Sequence, residues 1–218
     1  MDSVYELRQY TLHPGQRDLL IDIFEREFVE TQEAVGMRIP GTFKDLRDPD
    51  RFVWLRGFAD MPSRAAGLQA FYTGPAWRAN RDAANGTMID SDNVLLLRPT
   101  DMGSGFTLDG AVRPPAGAVL AAAPTVVAVI CYAASPVDDT LLASFNHAVL
   151  PLLPKPPLAT LCTLYEENNF PALPVRTDEH VIVWFSFEDP TPRLAQLPPW
   201  VVDTEVLLLA PTARSLLR

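Results

Sequence analysis

Two stretches of this sequence read almost alike, Asn93-Val-Leu-Leu-Leu-Arg-Pro-Thr100 and Glu205-Val-Leu-Leu-Leu-Ala-Pro-Thr212. Each is a short apolar run closed by a proline, the pattern of a buried strand at the end of a unit. Upstream of both, the same signals recur in the same order. Phe58, Asp60 and Arg64 have the spacing of Phe187, Asp189 and Arg193; Trp54 and Trp184 precede them, and Trp77 and Trp200 follow. Several matches in one order point to a duplicated module. Between the copies, Asp101 to Pro124 holds four of the eleven glycines and three prolines without a sustained amphipathic period, and reads as a linker. The chain thus divides into a first module (1–100), a linker (101–124) and a diverged second module (125–218).

Within the first module, residues 4 to 12 alternate as a strand does, and His13-Pro14-Gly15 makes a turn. Leu19, Leu20, Ile23, Phe24 and Phe28 then recur at helical spacing over residues 16 to 35, with Gly36 as the stop. Thr42 to Leu46 and Phe52 to Phe58 form a hairpin. Ser63 to Asn85 is helical with a break at Gly74-Pro75, and Val94 to Arg98 closes the unit. The second module repeats the order. Thr125 to Ala133 is a strand, and Ser135-Pro136 with Asp138 and Asp139 starts a helix running to 150. Strands near 160–166 and 181–187, a short proline-flanked helix and Val206 to Leu209 follow. The class is α+β, two tandem ferredoxin-like βαββαβ modules.

Composition bounds the function. In 218 residues, 48% are hydrophobic and 21% charged, the balance of a globular protein with a real core. The formal charge of -9, with only Lys44 and Lys155 beside the arginines and no basic run, opposes binding to nucleic acid. No apolar run is long enough for a membrane span and no signal segment opens the chain, so the expectation is a cytoplasmic protein. Cys131 and Cys162 form neither a disulfide framework nor a metal spacing. They read as buried small apolar residues on strands that are not neighbours.

Val4-Tyr-Glu-Leu-Arg-Gln-Tyr-Thr-Leu-His-Pro-Gly15, with Phe52-Val-Trp-Leu-Arg-Gly-Phe58, Ser63-Arg-Ala-Ala66 and Pro75-Ala-Trp77, resembles the NIPSNAP family over residues 4 to about 98. The resemblance implies the dimeric α/β barrel superfamily, with both ferredoxin-like units supplied here by one chain. The protein is then a monomer with an internal pseudo-dimer, or a homodimer. Superfamily relatives include cofactor-free oxygenases, haem-degrading oxygenases, isomerases and dehydratases, so the fold alone selects no chemistry. The haem-degrading relatives place an iron-ligating histidine one turn after the position matching Trp77. Here that position is Arg81, which argues against haem.

The candidate chemistry lies in the first strand, where alternation puts Glu6, Arg8 and Tyr10 on one face. The row is either a structural ion pair or the floor of a pocket, in which Arg8 orients an anionic or carbonyl oxygen, Glu6 fixes Arg8 or moves a proton, and Tyr10 donates a hydrogen bond. Aligning Tyr132 with Tyr10 sets Ala128 opposite Glu6 and Ile130 opposite Arg8, so only the first module keeps the polar row. Glu27 falls on the apolar stripe of the first helix, or at its rim. His13 sits in the turn at the end of the row, as a mouth residue or proton shuttle. Trp54, Arg56, Phe71, Trp77 and Arg81 are the candidate substrate-binding residues, and His147 and His180 read as surface or loop positions. No triad, zinc spacing, P-loop or G-x-G-x-x-G occurs, so no metal or cofactor is expected. The leading expectation is a small-molecule enzyme using acid-base chemistry (cyclisation, isomerisation, dehydration) or cofactor-free oxygenation. The alternative is a non-enzymatic protein that binds a ligand or a partner.

Overall fold

The computed structural model describes residues 2–119, 122–188 and 194–218. The first module runs β1 (Val4–Leu12), α1 (Arg17–Ile23), a π turn (Phe24–Phe28), α2 (Val29–Glu33), β2 (Thr42–Asp45), β3 (Arg51–Phe58), α3 (Met61–Tyr72), α4 (Pro75–Asn85), a short β4 (Met88–Asp90) and β5 (Val94–Pro99). The second runs β6 (Val126–Ala133), α5 (Asp139–Ala148), β7 (Ala159–Thr163), β8 (Val181–Ser186) and β9 (Val201–Pro211). Asp189 and Arg193 of the second repeat motif, and the start of the proline-flanked helix, lie outside the described residues.

Both modules have the ferredoxin-like order, β5-β1-β3-β2 and β9-β6-β8-β7, with neighbouring strands antiparallel. Their edges pair with each other. Phe43 faces Pro211 where β2 meets β9, and Pro99 faces Leu161 where β5 meets β7. The sheet therefore closes into an eight-stranded antiparallel barrel, with β4 hung on β1. The two near-identical stretches, 93–100 and 205–212, carry β5 and β9, the strands at the two seams. Closure removes the edges on which an isolated four-stranded sheet would aggregate.

Alternation divides the sheet into two faces. Tyr5 and Leu7 of β1, Leu55 of β3, Ala128 and Ile130 of β6 and Phe185 of β8 fill the barrel. The connection between modules is more than a spacer. Phe106 is buried, edge-on to Tyr5 (ring centroids 5.7 Å apart) and Phe185 (5.0 Å), and plugs one end of the barrel. Arg113 donates to the carbonyls of Ile39 and Arg214 and pins the segment to both halves. The outer face carries the helices: Phe24, Phe28, Leu68 and Phe71 over Phe52 and Trp54 in the first module, and Phe145 over Trp184 and Cys131 in the second.

Four local expectations are corrected. Leu19 is 49% exposed, because the buried stripe is centred on Leu20 and Phe24 and leaves Leu19 just beyond its edge. The helix is also not regular. Val29 N–H bonds back to the Phe24 carbonyl, and the wider turn carries the positions after Phe24 backward around the axis. At α5 the cap is Asp138, whose side chain accepts from Leu141 N–H at 2.8 Å, and Ser135 lies outside the helix. Tyr132 does not match Tyr10: with Ala128 and Ile130 it faces the barrel interior, whereas Tyr10 faces the helices. Trp54 lies opposite Arg8 and Trp184 opposite Val129, so the true counterparts of Glu6, Arg8 and Tyr10 are Val127, Val129 and Cys131. A register shift of one residue flips every side chain to the other face. The conclusion that only the first module keeps the polar row is unaffected.

Cys131 and Cys162 flank Ile182 on strands separated by β8, and both are free and buried. Burial pushes their thiols up, to about 12 and about 11. Among the described residues no helix is long and apolar enough to cross a membrane.

Removing the Phe106 ring leaves a void against Tyr5 and Phe185. Phe106→Ala should lower the free energy of unfolding in urea by about 3–5 kcal/mol. Met102→Ala, four residues earlier and fully exposed, should leave it unchanged.

Candidate active site

The Glu6-Arg8-Tyr10 row faces the helix layer, and all three side chains are buried. Strand pairing places Arg56 directly across from Glu6 and Trp54 across from Arg8. The Asp60 side chain caps α3 through Ser63 N–H (2.7 Å), which brings Arg64 down onto the same carboxylate. Glu6 Oε2 accepts from Arg8 Nη1 at 2.7 Å, Arg56 Nη2 at 2.6 Å and Arg56 Nε at 3.0 Å, and Oε1 accepts from Arg64 Nε at 2.8 Å. One carboxylate thus holds three guanidinium groups, each at most 1% exposed. Burial opposes the charge on Glu6, but Arg56, Arg8 and Arg64 outweigh it and hold the carboxyl well below the usual range. Glu6 is therefore a fixed anion that positions the arginines, not a group that passes protons near neutral pH.

Tyr10 is different. Its oxygen accepts from Arg8 Nε at 2.9 Å. Burial raises the pKa of the phenol against the pull of Arg8, so it keeps its proton at pH 7 and can donate it. Tyr10 opens onto a narrow cleft between sheet and helices with about 30 Å3 of free space, lined by Trp54, Phe24, Phe28, Phe71, Tyr72 and Trp77 among others. The rings pack edge to face: Tyr10 and Trp54 centroids are 5.9 Å apart, and Tyr72 and Trp77 are 4.8 Å apart. The indole Nε1 of Trp54 is buried and has no hydrogen-bond partner among the described residues. Such an orphaned donor is uncommon in a folded interior. The π turn supplies Phe24 and Phe28 to this wall, a placement typical of π turns.

Two contributors were not evident in the sequence. Gln32 lines the cleft and accepts from Arg56 Nη1 at 3.1 Å, linking cleft to cluster. The connection from β7 to β8, residues 164–180, crosses over from the second module. Asn168 and Asn169 accept from Arg64 Nη1 (3.0 and 2.7 Å), Asn169 Nδ2 donates to the Met61 carbonyl, and Phe170 lies 6.0 Å from the Tyr72 ring. A connection far longer than a hairpin needs was the available signal.

The other candidates separate. Trp54, Phe71 and Trp77 line the cleft, and Arg56 lies beneath it in the cluster. Arg81 does not join them. It is 56% exposed on the outer side of α4 and pairs with Asp82. Glu27 takes the rim position, 35% exposed and bonded to Arg26 at 2.8 Å, because the π turn keeps Phe28 on the stripe and rotates Glu27 off it. His13 is exposed in the turn after β1. In the second module the corresponding face is apolar, closed by Phe145 on Trp184.

Breaking the hub exposes its energetics. Glu6→Gln should cost about 3–5 kcal/mol, since it leaves three buried guanidiniums without their anion. The acid limb should move with it. An unfolded Glu takes up its proton near about pH 4.3, whereas folded Glu6 resists to lower pH. Stability is therefore level above that point and falls as pH drops below it, and Glu6→Gln should flatten this limb in a pH series of urea midpoints. Asn169→Ala should speed hydrogen exchange in residues 61–64 and 164–175 while leaving β6 and β8 protected.

The comparisons agree with this architecture. The NIPSNAP family model matches residues 5–103. An uncharacterized NIPSNAP-like domain protein from Burkholderia xenovorans is 26% identical, covering 45% of this chain and 85% of its own, with a TM-score of 0.41. A protein proposed to be a monooxygenase from Lactobacillus acidophilus covers 99% of this chain and 97% of its own at 14% identity and a TM-score of 0.56. One from Fusobacterium nucleatum, also proposed to be a monooxygenase, covers 96% and 92% at 8% identity and 0.56. No curated protein matches the chain. The two full-length likenesses share the two-module fold, and the charged cluster of Glu6, Arg8, Arg56 and Arg64 falls within the matched segment, while Asn168, Asn169 and Phe170 lie outside it. The first module, residues 5–103, thus matches the NIPSNAP family model, and the second module closes the α/β barrel.

Proposed function

We propose that the helix-covered cleft of the first module is the working site of a small-molecule enzyme that acts on a hydrophobic, oxygen-bearing substrate by acid-base chemistry or by cofactor-free oxygenation. The observation that carries this reading is the pairing of Tyr10 with Arg8: a neutral phenol on an aromatic cleft, its oxygen held by a buried cation at 2.9 Å. A substrate carbonyl or enol oxygen at the cleft floor would receive the Tyr10 hydrogen bond. Charge building on that oxygen, or on Tyr10 as it gives up its proton, is stabilised by Arg8. Cyclisation, isomerisation and dehydration all pass through such a polarised oxygen. In an oxygenation the ionised substrate itself supplies the electrons to dioxygen. Two free, buried cysteines suit a reducing compartment such as the cytoplasm.

Glu6, Arg8 and Arg56 are poor first targets, because their loss unsettles the fold. Tyr10→Phe keeps the ring and removes only the hydroxyl. Across a panel of phenols, quinols and enolisable ketones, followed by absorbance and oxygen uptake, any turnover by the parent protein should fall about 100-fold in this variant, while the protein stays folded with a modestly lower melting temperature because Arg8 Nε loses its acceptor. Binding without turnover across the panel would favour the non-enzymatic ligand-binding reading, and turnover insensitive to Tyr10→Phe would sink the mechanism.

A further inference from the structure

We propose that a loop of the second module gates the cleft: Phe170 and Asn169 hold Tyr72 in its doorway, and a ring-bearing substrate enters only when residues 165–175 lift away. The proposal rests on reading the cleft as a small-molecule site and adds how that site is reached.

The closed cleft cannot hold a substrate as it stands. Its free space of about 30 Å3 has room for a water or two, each needing roughly 10–15 Å3, whereas a benzene-sized ligand occupies a cavity of roughly 150 Å3. A wall must therefore move, and burial shows which one. Of the described side chains that line the cleft, only Tyr72, Trp77 and Met88 are half-buried, and the rest are buried. The doorway is thus at the corner where α3 gives way to α4, with Tyr72 and Trp77 on either side of the break at Gly74-Pro75. Phe170 packs on Tyr72, with ring centroids 6.0 Å apart and planes 30° apart. It does not line the cleft itself, so it backs the door. Asn169 fastens it: Oδ1 accepts from Arg64 Nη1 at 2.7 Å, and Nδ2 donates to the Met61 carbonyl at 2.6 Å.

The loop is built to move as one piece. Its ends are anchored on β5, where Leu164 N–H donates to the Leu96 carbonyl (2.9 Å) and Arg176 N–H to the Val94 carbonyl (2.8 Å). Between these anchors Asn168 closes the chain on itself. Its Oδ1 accepts from Phe170 N–H at 3.1 Å and its Nδ2 donates to the Leu173 carbonyl at 2.9 Å. No residue from 164 to 180 is fully buried, and segments with few buried contacts are the first to open. A hollow of about 520 Å3, lined by Leu96 of β5 and by Pro171, Pro174 and Val175 of the loop, leaves it room. The opposite wall has no such freedom. Phe24 and Phe28 are buried, and Arg214 holds their turn by donating to the Glu25 carbonyl and pairing with Glu30.

The test reads access without any substrate. Ala84→Cys places a thiol inside the cleft, where Ala84 is buried, and its reaction with iodoacetamide is followed by mass spectrometry on the full-length protein. Leu20→Cys, on another wall, is a second reporter should the first disturb the fold. Cys131 and Cys162 are buried in the second module and react only when that module opens, so they serve as internal controls. Phe170→Ala should speed labelling of the reporter about tenfold or more, and Asn169→Ala about threefold or more, with Cys131 and Cys162 labelled no faster. Reporter labelling that neither substitution moves would overturn the gate. Labelling that rises only in step with Cys131 and Cys162 would overturn it too, since the cleft would then open by unfolding. The gate therefore stands or fails on labelling alone, and the enzymatic reading on turnover alone.

Discussion

Everything distinctive about the first module depends on how one buried carboxylate is satisfied. Glu6 sits in the middle of a central strand, where an unpaired charge would be prohibitive. Its acceptor sites are filled by groups from three elements, β1 itself, β3 and α3, so the register of the strand pair and the docking of the helix are set by the same bonds. Arg64 carries the arrangement further by holding the long loop of the second module. Buried ion clusters of this kind contribute little net stability compared with an apolar core, but they are unforgiving of the loss of one member. Their effect here is to fix a phenol, an indole and a glutamine at defined places around an aromatic cleft.

The barrel makes this arrangement affordable. Its interior is packed with aliphatic and aromatic side chains and plugged by Phe106, so the outer face of β1 and β3 can hold charge without endangering the core. The division of labour follows from alternation: Tyr5 and Leu7 look inward, Glu6 and Arg8 outward, one residue apart.

Much of this was legible in the sequence. The strand order, the break at Gly74-Pro75 and the duplication all left local signals, because turns, caps and apolar periods are written in neighbouring residues. The polar row was visible for the same reason. Its partners were less so. Arg56 could be named but its bond to Glu6 depends on strand pairing, and Arg64, noted in the repeat and in the stretch Ser63-Arg-Ala-Ala66 but not as a site residue, reaches the cluster through the cap that starts its helix. Arg81 was misplaced because an ideal helical wheel cannot decide which side of an exposed helix meets the sheet, whereas for Glu27 the sequence left stripe and rim open and the π turn puts it at the rim. The register between modules failed on the choice of a tyrosine as the anchor, where the tryptophans, Trp54 and Trp184, are the landmark the two modules share on the helix-facing side. Asn168, Asn169 and Phe170 lie about a hundred positions from the residues they touch, and no local pattern encodes such a meeting.

The two seams of the barrel, β2 with β9 and β5 with β7, join modules that are alike in topology and unlike in content. Two identical subunits joined in the same way would be bound by symmetry: any substitution would appear twice, and a change that emptied one cleft would empty the other. Covalent fusion lifts that obligation. One half is free to become scaffold, lending a seam and a loop, while the other keeps its charges. Among the described residues the barrel therefore carries this cleft in one module and not in the other, and half of the assembly is available to be shaped around the needs of the other half.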